Sequence, residues 1–131
     1  MVFRPSLARS ELEVIRIVWR LKSATVREVL DQLPAERALD FKTVQTYLRR
    51  LEQKGYLTSV KQGRTRVYRQ RAQPKTVVRE LVRDFVDRLF DGDPLPLLQN
   101  LVQEHGVTQD DLRELRELTQ SQESNDVADP S

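Results

Sequence analysis

Apolar residues recur at helical spacing through most of this chain, with one interval where the pattern shortens to that of strands. After Ser10, the positions Leu12, Val14, Ile15, Ile17, Val18, Trp19 and Leu21 leave little polar surface, so the spacing predicts a helix at the centre of the core, with Trp19 inside it. Ser10 and Glu13 have the capping-box spacing and are expected to start that helix. Thr25 and Glu28 repeat the signature before a shorter stripe of Val26, Val29, Leu30 and Leu33, which must stop at Pro34. Asp40 is the expected N-cap of a third helix, about Phe41 to Lys54, whose buried stripe is Val44, Tyr47, Leu48 and Leu51 and whose end is Gly55. Two β-prone runs, about Leu57 to Lys61 and Thr65 to Arg69, then flank Gln62-Gly63 and predict a hairpin.

The periodicity resumes at Thr76 with Val77, Val78, Leu81, Val82, Phe85, Val86, Leu89 and Phe90. This apolar arc is too wide for one neighbour and asks for a second surface to cover it. "DGDP" breaks that helix, Leu95, Leu97, Leu98, Leu101 and Val102 begin a shorter one closed at His105-Gly106, and Thr108 to Leu118 forms a last helix on Leu112, Leu115 and Leu118. The expected fold is mainly α with a small β-hairpin wing. Residues 1–74 would form a winged helix-turn-helix, 75–120 a helical dimerisation region, and 121–131, polar and acidic without periodicity, a disordered tail.

Charge sharpens this layout. Residues 1–74 hold 16 Lys and Arg against 7 Asp and Glu, a net of +9, while 75–131 hold 6 against 13, a net of −7. From Asp40 to Arg71 there are 9 basic residues and 2 acidic ones. The polar face of the third helix carries Lys42, Thr43, Gln45, Thr46, Arg49 and Arg50, and the hairpin adds Lys61, Arg64 and Arg66. A solvated cationic face accounts for the helix alone, but the hairpin cations and the charge split favour a polyanion. Cations on a helix and adjoining hairpin suit the phosphates of double-stranded DNA, whereas base edges are read by paired donors and acceptors in the major groove. Thr43, Gln45 and Thr46 are the expected base readers; Lys42, Arg50, Lys61, Arg64 and Arg66 are expected at phosphates, and Arg49 suits either role.

The remaining composition mainly excludes. No window approaches the roughly 18 apolar residues that cross a bilayer, and no secretory signal is evident, so a cytoplasmic protein is expected. With no cysteine and one histidine, disulfides, thiolate metal sites and Ser-His chemistry drop out; no metal or other cofactor is expected. Asp110-Asp111 and Asp91-x-Asp93 lie where Asp serves helix starts and turns, and His105 where it serves a helix end. An enzyme is therefore a distant reading. The alternative to DNA binding is a winged-helix module that uses its basic face on an acidic protein partner.

"LARSELEVIRIVW", "KTVQTYLRRLEQKGYL" and "KQGRTRVYR" together resemble the BlaI/MecI penicillinase-repressor family of bacterial winged-helix regulators, over about Leu7 to Thr119. The resemblance implies a homodimeric repressor on a palindromic operator, controlling antibiotic-resistance or stress genes, with Lys42, Thr43, Thr46 and the wing from Lys61 to Arg66 at the DNA. It also implies that the C-terminal helices form the dimer interface, through Val78, Leu81, Val82, Phe85, Leu89, Leu97, Leu98 and Leu101. Relatives are inactivated by a sensor-linked protease at an Asn-Phe bond; the corresponding bond here is Asn100-Leu101, a departure from that pattern.

Overall fold

The computed structural model describes residues 4–128. In chain order it comprises α1 (Arg9–Leu21), β1 (Ser23–Ala24), α2 (Val26–Gln32), a 3₁₀ turn (Ala35–Arg37), α3 (Phe41–Gln53), β2 (Leu57–Gln62), β3 (Thr65–Gln70), α4 (Pro74–Phe90), α5 (Leu95–Glu104) and α6 (Gln109–Ala128). It is the mainly helical fold with a β-hairpin that the pattern predicts. The chain divides into two compact units, residues 1–82 and 83–131, with the division inside α4 rather than at Pro74 where the charge changes sign.

In the first unit α1, α2 and α3 pack on one another around a core of fully buried Val14, Ile15, Val18, Val29, Val44, Leu48 and Leu51, joined by Leu57 of β2 and Val77 of α4. Trp19 is half-buried against this core, and its indole N–H has no hydrogen-bond partner among the described residues.

The start of α1 corrects the expectation. The helix begins at Arg9, before Ser10 can cap it, and Glu11, not Glu13, reaches back to accept the Ala8 N–H at 2.8 Å. Ser10 and Glu13 instead both accept from the Arg37 guanidinium, at 3.3 and 2.9 Å. The choice follows from burial: Glu11 faces the core side, almost fully buried, and there forms an ion pair with Lys54 at 2.6 Å. The Thr25–Glu28 box forms in both directions, at 3.2 and 2.9 Å. Asp40 caps α3 by accepting the Thr43 N–H at 2.8 Å. At the far end Gly55, with φ +89°, carries the left-handed turn that sends the chain into β2.

The hairpin pairs β2 with β3 from Leu57↔Gln70 to Gln62↔Thr65, so its two turn residues are Gly63 and Arg64, one step beyond the expected Gln62-Gly63. Gly63 takes φ +66°, as a tight two-residue turn demands. Ser23–Ala24 adds a third strand on the other side of β3, giving the sheet order β1-β3-β2. Two residues are too short for an alternating pattern, which is why this strand is silent in the sequence.

In the second unit Gly92 turns the chain between α4 and α5, with φ +83°. Asp93 accepts the Leu95 N–H, and Asp111 exchanges hydrogen bonds with Thr108 at the start of α6, so these acids serve backbone ends. His105 is the C-cap of α5, donating its N–H to the Leu101 carbonyl. α6 continues to Ala128, past the Leu118 end that the leucine spacing predicts, and residues 121–128 of the expected tail are part of it. No Pro or Gly interrupts this polar stretch, so nothing in its local chemistry stops the helix. The rest of that tail, 129–131, lies outside the described residues.

Candidate nucleic-acid interface

Helix α3 presents two adjacent ridges at four-residue spacing. Phe41, Gln45 and Arg49 form one; Lys42, Thr46 and Arg50 form the other. The first ridge lines a cleft whose opposite walls are Arg27 from the start of α2 and the wing cations Lys61, Arg64 and Arg66. No carboxylate lines it among the described residues. The second ridge is exposed and lies outside that cleft, as does Thr43, which is half-buried.

Every expected nucleic-acid residue is therefore on α3 or the hairpin, and five of the nine converge on one concavity. Lys42, Arg49, Arg50, Lys61, Arg64 and Arg66 have no ion-pair partner among the described residues. By contrast Lys54 of the same basic segment is spent inside the fold, on the Glu11 carboxylate and the Ser6 carbonyl. The local charge available to a ligand is smaller than the sequence count by that pair.

Two side chains are constrained. Thr46 donates its hydroxyl to the Lys42 carbonyl at 3.0 Å, which leaves its methyl and a lone pair for the outside. Arg66 donates at 3.0 Å to the Ser59 hydroxyl, which donates in turn to Glu52 at 2.7 Å, so a relay ties β3 across β2 to α3. Tyr68, also on the cleft, has its phenol pushed above the ordinary value, first by burial and then by the Glu52 charge; it is a neutral hydrogen-bonding group at neutral pH.

Sequence reasoning missed Thr25, Arg27 and Phe41, which line the same cleft. The Arg27 guanidinium lies over the Phe41 ring, 5.4 Å from its centroid. Phe41 was readable as the first residue of α3, but it falls outside both the buried stripe and the polar set, and an apolar residue at a helix start is read as packing by default.

The residues expected at a dimer interface lie along α4 and α5. Val78, Val82, Phe85, Leu89 and Leu98 are exposed, and Leu81, Leu97 and Leu101 half-buried. Asn100 is exposed and Leu101 half-buried, and the bond joining them lies within α5, so a protease that requires extended chain must first unwind a turn there. Among the described residues there is no acidic or histidine cluster that could hold a metal ion, and no helix long and apolar enough to cross a membrane.

Comparison with known proteins agrees with this fold. The penicillinase repressor family matches residues 7–121. The penicillinase repressor of Bacillus licheniformis is 27% identical over 114 residues, covering 87% of this chain and 89% of that protein. The methicillin resistance regulatory protein MecI of Staphylococcus aureus (strain N315) is 23% identical over 112 residues, covering 86% and 91%. The solution structure of the DNA-binding domain of the repressor BlaI superposes with a TM-score of 0.50 at 35% identity, over 56% of this chain and 90% of that domain.

Proposed function

The chain belongs to the penicillinase repressor family, and we propose that this DNA-binding transcriptional repressor acts as a homodimer on a two-fold-symmetric operator. The observation that carries the DNA reading is the cleft between α3 and the wing, walled by five cations and by no carboxylate among the described residues. A groove of one charge sign matches a phosphate backbone, and cations without an ion-pair partner among the described residues have no salt bridge to break when they displace its counterions.

Lys42, Arg50, Lys61, Arg64 and Arg66 serve phosphates, which set affinity and register. Thr43, Gln45 and Thr46 read bases: Gln bonds adenine at two points, and the outward methyl of Thr46 suits a thymine methyl. Arg49, facing the cleft, serves phosphate or guanine. Repression then follows from occupancy of a promoter, with two α3 helices in successive major grooves roughly 34 Å apart. The exposed apolar residues of α4 and α5 supply the contact between copies. Cleavage at Asn100–Leu101 by a sensor-linked protease would remove part of that contact and relieve repression. The upstream regions of resistance and stress genes are the first operators to test.

Fluorescence anisotropy against random-sequence DNA at graded salt tests the reading. Binding should weaken steeply with salt, and Arg64→Ala should weaken all duplexes alike while lowering the salt slope by about one. Absence of binding even at low salt would overturn it in favour of an acidic protein partner.

A further inference from the structure

We infer that Phe41 is a specificity-determining residue of the interface, reading the 5-methyl group of a thymine, with Arg27 as its support. This rests on the DNA reading given above and goes beyond the residues assigned there. Phe41 is the first residue of α3, immediately after the Asp40 cap. The N-terminal residues of a recognition helix go deepest toward base edges. An aromatic ring at that point is 41% exposed, although the unit has a complete core beneath it.

The ring is not loosely displayed. It shares a ridge with Gln45 and Arg49 and lines the same cleft, which opens between α3 and the wing. The Arg27 guanidinium covers it at 5.4 Å, a cation–π contact that limits its rotation and brings a positive charge beside it. Arg27 is itself exposed and has no carboxylate partner among the described residues. Stacked on the ring, it neutralises a phosphate next to the base that the ring touches. Apolar contact with the thymine methyl is the major-groove reading open to a side chain without donors or acceptors, and no other base presents such a group there.

Deoxyuridine lacks only this methyl, so it isolates the contact. The 131-residue chain selects a duplex from a random-sequence pool, and that duplex is resynthesised with each thymidine replaced in turn by deoxyuridine. At one position per half-site, distinct from any position whose methyl preference Thr46→Ala removes, the replacement should weaken binding of the wild type about threefold to fivefold, the worth of burying one methyl. Phe41→Ala should bind the thymidine and deoxyuridine duplexes equally and melt at close to the wild-type temperature. Phe41→Leu, which keeps an apolar contact, should retain part of the discrimination. Arg27→Ala should reduce the discrimination and also the salt slope. If the wild type binds a selected duplex tightly but no single deoxyuridine weakens it, or if Phe41→Ala keeps the same methyl preference, the inference is overturned while the DNA reading stands. If no duplex is selected at all, the DNA reading falls first.

Discussion

Charge in this protein has two uses that only the pairings separate. Lys54 belongs to the basic segment, yet it holds the Glu11 carboxylate, whose side chain is 2% exposed. One oxygen of Glu11 takes Lys54 and the Ala8 N–H, while the other has no hydrogen-bond partner among the described residues. Removing the cation therefore strands a buried charge, and Lys54→Ala should cost about 3 kcal/mol in urea unfolding. Glu11→Leu combined with Lys54→Met should lie closer to the wild type than Lys54→Ala alone, because no ion is then left unpaired. Asp40 is the other decisive acid. The Thr43 backbone N–H, and then the Thr43 hydroxyl, hold its carboxyl below the ordinary 3.8. A depressed folded-state pKa stabilises the fold fully above 3.8, and the contribution is lost as pH falls through the lower folded value. Asp40→Ala should thus melt earlier than the wild type at pH 7, with the gap closing in acid below 3.8, as followed by circular dichroism. The Asp40 cap is legible in sequence because a polar residue precedes an apolar stripe. The Glu11 role is not, since Glu11 and Glu13 flank Leu12 and only packing against Lys54 selects between them.

At the level of elements, α2 and α3 are legible because each has a complete pattern of stripe, cap and breaker, α1 through its stripe alone, and the hairpin through two β-prone runs about a glycine. What is hidden is the joinery. β1 is invisible as two residues, yet it pairs Ser23 with Arg69 and Ala24 with Tyr68 and so fixes the sheet to the end of α1. The wing is tied to α3 by the Arg66, Ser59 and Glu52 relay, whose members come from three elements with no shared periodicity. Ser59 carries no charge, so its removal separates orientation from electrostatics. Ser59→Ala removes both hydrogen bonds of the relay and should weaken binding to every duplex, by about twofold to fivefold for the lost Arg66 tether, with the salt slope unchanged. Arg66→Ala should weaken binding equally broadly but also lower the slope by about one. The two variants compared by anisotropy at several salt concentrations give the wing's two contributions separately. Equal slopes for both would mean that Arg66 acts only as a strut.

Across the whole chain, apolar residues that a single copy leaves uncovered collect beyond the first core. α4 enters that core through Val77 and Leu81, then carries exposed Val78, Val82, Phe85 and Leu89, with Leu89 63% exposed. A helix with one buried edge and another apolar edge in water is costly to leave bare, and a second copy offers the same edge in return. The wide arc read from sequence anticipates the exposed edge, because paired apolar positions every four residues exceed what one neighbour can cover. Where the compact units divide is not legible, since the α4 pattern runs unbroken across Val82 and Arg83. Phe85→Asp with Leu89→Asp places charges on that edge beyond the first unit and leaves its core untouched. Light scattering should then report a monomer, while the melting of the first unit is retained. The monomer should bind a single half-site as the wild type does and lose about a hundredfold or more on a two-half-site duplex, because the second half-site no longer engages at the effective concentration of a linked partner. A variant that stays dimeric, or a monomer that keeps full affinity for the paired site, would remove the α4 edge from the assembly and with it the symmetric operator.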